Sequence, residues 1–285
     1  VASAPAAVPT YVPPMSTALE PLMLLVRNGT CTLDQLPIDR LVSGTAQEAR
    51  EGALEGAVPL VAPPAQAEAL WICNPHNPTG QLWSRASLQP LLERYALVIC
   101  DEAFLPLVPN GEQQSLLPLV AEHSNLVVIR SFTKLYGIAG LRLGYALSQN
   151  QRLQRWAEWR DPWPVNGIAL AVGERLLASP RRYHRWCKRV QHWTAIEGAW
   201  MEQQLAALPG ITPMPSSVNY MLIRSNRSLV PLLEAMEQRH RILLRDCRSF
   251  EGLGETWLRI GLQSRRNNRR IVRALREELK RTPLA

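Results

Sequence analysis

The sequence predicts an α/β protein: a three-layer large domain on a mostly parallel sheet, followed by a small α+β C-terminal domain. Three observations predict it. From Ala69 to Ser148, short apolar runs alternate with helix-compatible stretches. Those runs are continuously apolar, as in strands buried on both faces. Beyond Trp163 the text changes to a long helical stretch, then to short strands interleaved with helices. A chain of 285 residues can build two such bodies, each with its own core. The expected boundaries are 1–165 for the large domain, incomplete at its N-terminus, and 166–285 for a linking helix and the small domain.

The elements follow in order. Ala69–Cys73 (ALWIC) reads as a buried strand. Ser84 reads as an N-cap for a helix through about Tyr95. Ala96–Cys100, Asn125–Ile129 and Leu141–Leu147 read as the next three strands. Asn166–Leu208 is helical text, broken at Ser179-Pro180 and ended by Pro209-Gly210. Val218–Ile223, Ile242–Leu244 and Trp257–Leu262 read as short strands, with helices over Leu229–Arg239 and Asn268–Lys280.

Composition narrows the function class. The chain is 46% hydrophobic, with no apolar run of 18 residues, so no membrane-spanning helix is expected. Val1–Pro14 is rich in Ala and Pro and lacks a basic n-region, so it does not read as a signal peptide. The absence of a starting Met points to a chain that begins partway through a longer one. The five cysteines, Cys31, Cys73, Cys100, Cys187 and Cys247, include no CxxC pair, which favours reduced thiols in the cytoplasm. Cys73 and Cys100 sit in apolar runs and read as structural. The histidines lack ligand spacing, so no metal site is expected. The net charge is +8. Without a nucleic-acid motif, it reads as a solvated basic surface that draws in anionic substrates rather than as a nucleic-acid-binding face. Its densest part, Arg265–Arg281, has the spacing of an amphipathic helix with its charges in water.

The chemistry lies where strands end, since ligands of open α/β sheets bind outside the carboxyl ends of the strands. The first strand runs into Asn74-Pro75-His76-Asn77-Pro78-Thr79-Gly80, the second into Asp101-Glu102-Ala103-Phe104, the third into Ser131-Phe132-Thr133-Lys134. An amide, a carboxylate and an amine thus reach one edge. Desolvation makes a lysine amine a usable nucleophile toward an aldehyde. A buried carboxylate needs a cation, which a protonated pyridine nitrogen would supply. The fork of Arg142 suits a phosphate, with Ser131 and Thr133 as hydroxyl donors beside it. Amine, acid and phosphate clamp together match the needs of pyridoxal phosphate. Each residue also has a bland reading: a Pro-rich turn for Asn77, a helix cap for Asp101, solvated charges for Lys134 and Arg142.

NPHNPTG, DEAF and SFTKLYGIAGLRLGY, in that order, resemble the marker segments of the class I/II aminotransferases. The resemblance implies the aspartate-aminotransferase-like fold and a homodimer. It implies that Lys134 forms a Schiff base with pyridoxal 5'-phosphate and shuttles protons. Asp101 would pair with the ring nitrogen, and Asn77 would bond the ring hydroxyl. Ser131, Arg142 and, more weakly, Thr133 would hold the cofactor phosphate, while Tyr11 would stack on the ring. Arg259 would grip the substrate carboxylate. Phe104 departs from the tyrosine many members carry there, which leaves more of the ring-hydroxyl bonding to Asn77. Relatives also carry a segment before the point where this chain starts, with a glycine-rich phosphate-binding turn.

Within the family, DEAF, GLRLGY and the PWPVN around Trp163 are most similar to threonine-phosphate decarboxylases of cobalamin biosynthesis. That implies decarboxylation of L-threonine O-3-phosphate to (R)-1-amino-2-propanol phosphate. The alternative is a transaminase such as histidinol-phosphate aminotransferase. Both act on small phosphorylated amino compounds. A third reading, of another class, is a non-enzymatic basic binding protein or inactive fragment.

Overall fold

The computed structural model describes residues 68–250 and 252–283, together with the strand pairs Leu33–Asp34 and Ala57–Val58. A five-stranded sheet runs in the order β1 (Leu33–Asp34), β3 (Ala69–Cys73), β5 (Leu97–Asp101), β6 (Leu126–Ser131), β7 (Gly144–Leu147). The first four are parallel and β7 is antiparallel to β6. A separate pair joins β2 (Ala57–Val58) to β4 (Leu82–Trp83), a short strand the sequence patterns had not marked. Alternate residues of the sheet supply cores on both faces. Leu70, Ile72, Val98, Cys100, Leu126 and Val128 pack on one side, while Ala69, Ile99, Val127 and Ile129 pack on the other. Strands so enclosed read as unbroken apolar text.

Ser84 caps a helix as expected, its hydroxyl accepting from Ser87 N, but α1 (Arg85–Leu88) is a single turn. Pro90 lacks the N–H an α-helix would require, so residues Gln89–Glu93 continue as a 3₁₀-helix instead. The expected fourth strand starts late, because Ala139–Leu141 forms a 3₁₀-turn and Arg142 is left-handed, with φ 55°. Residues 132–143, including α2 (Phe132–Tyr136), leave the carboxyl end of β6 and return beside it, since Ser131 pairs with Gly144.

After β7 come α3 (Asn150–Ala157), unmarked in the sequence reading, then α4 (Gly167–Leu177) and α5 (Pro180–Ala206). Asn166 and Ser179 cap the last two through their side chains, and Pro180 occupies the first turn of α5, where its missing N–H is harmless. The 27 residues of α5 make a rod about 40 Å long. Near one end Cys187 packs with Leu107 and Leu135. Toward the other, Met201 and Leu205 enter a second core, built on an antiparallel sheet in the order β10-β11-β9-β8. Its strands are β8 (Thr212–Pro213), β9 (Tyr220–Arg224), β10 (Arg245–Asp246) and β11 (Trp257–Gly261). Two helices, α6 (Val230–His240) and α7 (Arg265–Arg281), cover one face.

Ile242–Leu244, expected as a strand, is not one. Arg241 closes α6 in a left-handed conformation, and the Ile242 N–H turns back to Met236 O. The segment thereby leaves the ladder of β11, and Leu243 is 77% exposed. Pairing resumes only at Arg245.

The loop after β3 meets the second sheet directly. Gly80, at φ 76°, accepts from Ser217 N through its carbonyl, and a Cβ there would lie 2.1 Å from Ser216 Oγ. Glycine is what lets the two backbones touch.

Candidate active site

Two asparagines open the loop after β3, and the fold uses them differently. Asn74 is fully buried; its amide donates to Trp83 O and accepts from Trp83 N. It ties β3 to β4. Asn77 is half-buried and faces the carboxyl edge, with cis bonds at both Asn74–Pro75 and Asn77–Pro78. Its side-chain oxygen accepts from Arg259 Nη1, which comes from β11. A guanidinium only donates, so this bond fixes the amide orientation and leaves the Asn77 NH₂ hydrogens free to donate.

Asp101 ends β5 and is 8% exposed. Its Oδ1 accepts from Ala103 N at 2.9 Å. No cation among the described residues forms an ion pair with it. Burial raises its pKa above the usual carboxylate range, while the Ala103 bond and the charge of Lys134 oppose that. A buried acid in this state is fitted to a cationic ligand group. Its neighbour Glu102 points elsewhere: it accepts from Ser115 Oγ, Leu116 N and Arg130, which also reaches Glu112. That buried pair joins β5 to β6 and to the 112–116 loop.

Lys134 lies on α2 and is half-buried. Burial lowers its pKa first, and the charges of Arg259 and Arg142 lower it further. Its Nζ sits 5.1 Å from the centroid of the Phe104 ring. Ser131 caps α2, its oxygen accepting from Thr133 N at 3.2 Å, so its proton remains available to donate. Thr133 is buried alongside. Arg142 is exposed and donates to Ala139 O at 2.7 Å. It stands near Lys134, yet has no direct bond to Ser131 among the described residues.

Arg259 lies over the Tyr220 ring at 4.7 Å. Directly opposite it in the ladder is Arg245, which reaches Ser249 and the Phe250 ring. Neither guanidinium has a carboxylate partner among the described residues. Like charges directly opposite destabilise a strand pair, so this face is prepared for an anion. Sequence reasoning missed Arg245; only the register of β10 on β11 reveals it. It also missed Tyr220, buried at a near right angle to Phe104 with ring centroids 5.1 Å apart.

Lys134, Asp101, Asn77 and Arg259 are thus brought together, with Ser131 and Thr133 buried beside Lys134 and Arg142 exposed near it. Tyr11 lies outside the described residues. Trp163 is 86% exposed and takes no part in this cluster. The gathered ligand-type residues His240, Glu277 and Glu278 lie elsewhere, with both carboxylates held by Arg281 and Glu278 also by Arg239. Among the described residues no helix is long and apolar enough to cross a membrane. An amine of lowered pKa beside an unpaired buried acid and an oriented amide donor fits pyridoxal phosphate: the aldehyde, the ring nitrogen and the ring hydroxyl each find their complement.

Comparison with known proteins agrees with this chemistry. The family model for aminotransferase class I and II matches residues 46–275. The chain is 35% identical over 217 residues to threonine-phosphate decarboxylase of Salmonella typhimurium, covering 74% of this chain and 58% of that protein. It is 34% identical to histidinol-phosphate aminotransferase of Symbiobacterium thermophilum, over 76% of this chain and 60% of the relative. The crystal structure of L-threonine-O-3-phosphate decarboxylase from Porphyromonas gingivalis superposes with a TM-score of 0.69 at 26% identity, over 77% of this chain and 67% of that one. The chain therefore spans somewhat under two thirds of the length of these curated relatives.

Proposed function

The chain belongs to the class I and II aminotransferase family, and on that premise we propose that it is a pyridoxal-phosphate enzyme that decarboxylates L-threonine O-3-phosphate to (R)-1-amino-2-propanol phosphate. The observation that carries the reading is the meeting of Lys134, Asp101, Asn77 and Arg259 at one sheet edge. The paired guanidinia of Arg245 and Arg259 support a substrate with two anionic groups.

The cofactor supplies, when bound, an aldehyde for an amine and a ring that takes up electron density. Lys134 would hold the aldehyde carbon through its amine, whose loss of a proton burial and the nearby arginines favour. Asp101 meets the charge of the ring nitrogen. Asn77 donates from its NH₂ to the ring hydroxyl, doing this without help from position 104, where Phe has no donor. Ser131, Thr133 and Arg142 hold the cofactor phosphate. Arg259 would place the substrate carboxylate; as that group leaves as carbon dioxide, the electron pair of the broken bond would pass into the cofactor ring, and Lys134, freed when the substrate amine takes its place, would return a proton to the substrate carbon that bore the carboxylate. We place the enzyme in cobalamin biosynthesis, in the cytoplasm, as a homodimer.

The deciding experiment is incubation with pyridoxal phosphate and L-threonine O-3-phosphate without any 2-oxo acid. Carbon dioxide release supports the reading, and none overturns it. The second reading, histidinol-phosphate transamination, draws on the 34% identical relative. It requires a 2-oxo acid acceptor and gives ping-pong kinetics.

A further inference from the structure

We infer that Tyr220 is a positioning residue that locks the carboxylate-binding arginine and the cofactor-binding loop into one mutual orientation; this rests on the functional reading above. Tyr220 opens β9 and is 4% exposed. Three contacts converge on its side chain. Its hydroxyl donates to His76 O at 2.9 Å, across 144 residues of chain. Its ring carries the Arg259 guanidinium at 4.7 Å. It meets the Phe104 ring at a near right angle, and Phe104 in turn lies under Lys134 Nζ.

Each contact has a separate consequence. Arg259 is half-buried without a carboxylate partner among the described residues, so the π-face supplies the attraction that keeps it in place. Held between that face and the Asn77 oxygen, the guanidinium has one orientation left for its remaining donors. The His76 carbonyl already accepts from Gly80 N at 2.7 Å. The hydroxyl of Tyr220 therefore adds a third anchor to a loop that the second sheet also holds through Ser217 N on Gly80 O and Arg259 on Asn77. Phenylalanine would keep the ring and lose the anchor. Leucine would lose both. The backbone of Tyr220 is fixed independently, since Ser216 Oγ donates to its carbonyl.

The two functions are separable by measurement. Tyr220→Phe and Tyr220→Leu are compared with the unaltered chain for pyridoxal phosphate affinity by absorbance titration. KM and kcat for L-threonine O-3-phosphate and thermal midpoint are measured alongside. Losing one hydrogen bond at a loop that retains its own closure predicts about a three- to tenfold weaker cofactor affinity for Tyr220→Phe, with KM within about twofold. Tyr220→Leu is expected to add about a tenfold rise in KM while kcat changes far less. A purely structural tyrosine would lower the thermal midpoint in both variants and leave both constants unchanged, which overturns the inference. So does a Tyr220→Phe variant that raises KM as much as Tyr220→Leu. If the chain binds pyridoxal phosphate but does not turn over L-threonine O-3-phosphate, the proposed reaction fails alone. The affinity titration, and the spectral change on adding L-threonine O-3-phosphate as a ligand, then still decide the role of Tyr220. A chain that takes up no pyridoxal phosphate overturns both.

Discussion

Arg259 donates a hydrogen bond to the side-chain oxygen of Asn77 across 182 residues of sequence, joining the second sheet to the loop that follows β3. The guanidinium proposed to meet the substrate thereby also orients the amide proposed to meet the cofactor. Arg259→Gln removes a charged, bidentate donor, which is worth about 1.5–3 kcal/mol. The expected result is a rise in KM of roughly tenfold to a hundredfold, with weaker cofactor affinity alongside, read by steady-state kinetics and absorbance titration.

Lys134→Ala is expected to abolish the visible absorbance band of the lysine-bound cofactor at every pyridoxal phosphate concentration. In the unaltered chain, the band should form at pH values below those a free lysine requires, because burial, Arg259 and Arg142 lower the Lys134 pKa from its usual 10.5. The folded state resists binding this proton. Stability contributed here is therefore lowest below the depressed folded value and rises with pH toward 10.5. Lys134→Met should flatten that part of the pH–stability curve.

Asp101 carries the opposite lesson. Its folded pKa is raised above 3.8 by burial, so stability falls as the pH rises from 3.8, and the loss is complete once the pH exceeds the folded value. Asp101→Asn keeps the acceptor for Ala103 N and removes the buried charge. Without cofactor, the variant is expected to melt higher than the unaltered chain at neutral pH. The difference should vanish below about pH 4, where the acid is protonated in both folded and unfolded states. With pyridoxal phosphate present the order should reverse, because the ring nitrogen loses its partner. Calorimetry across pH, with and without cofactor, checks all three statements.

Glu102→Ala leaves Arg130 buried with only the half-exposed Glu112 as an ion partner. Breaking a buried pair by removing one member costs about 3–5 kcal/mol. Urea unfolding should register a loss of that size, with Asp101 chemistry affected only as far as β5 shifts.

Much of the fold was legible because burial on both faces writes itself as unbroken apolar text. Leu70, Ile99 and Val128 declared β3, β5 and β6 without help from their neighbours. The gathering of Lys134, Asp101 and Asn77 was legible for the same reason: each lies at, or a few residues past, the carboxyl end of such a strand. What failed was decided by local backbone chemistry or by distance. Pro90 cut α1 short. The left-handed Arg241 drew Ile242 back to its helix and out of the sheet. Arg245 needed a strand register to be seen opposite Arg259, and the bond of Tyr220 to His76 spans too much chain for any pattern to announce it.

The reversal of β7 has a consequence for how this site can change. Because Ser131 and Gly144 are ladder partners, residues 132–143 form an outpouching anchored at both ends on the same rim. An inserted or deleted residue there has nowhere to be absorbed except beside Lys134 and Arg142. The apolar layers of β3, β5 and β6 contain none of these residues; Phe132, Leu135 and Leu143 pack instead with Ala169, Leu107 and Cys187. Ligand preference can therefore drift through length changes in that outpouching while the sheet that carries it keeps its stability.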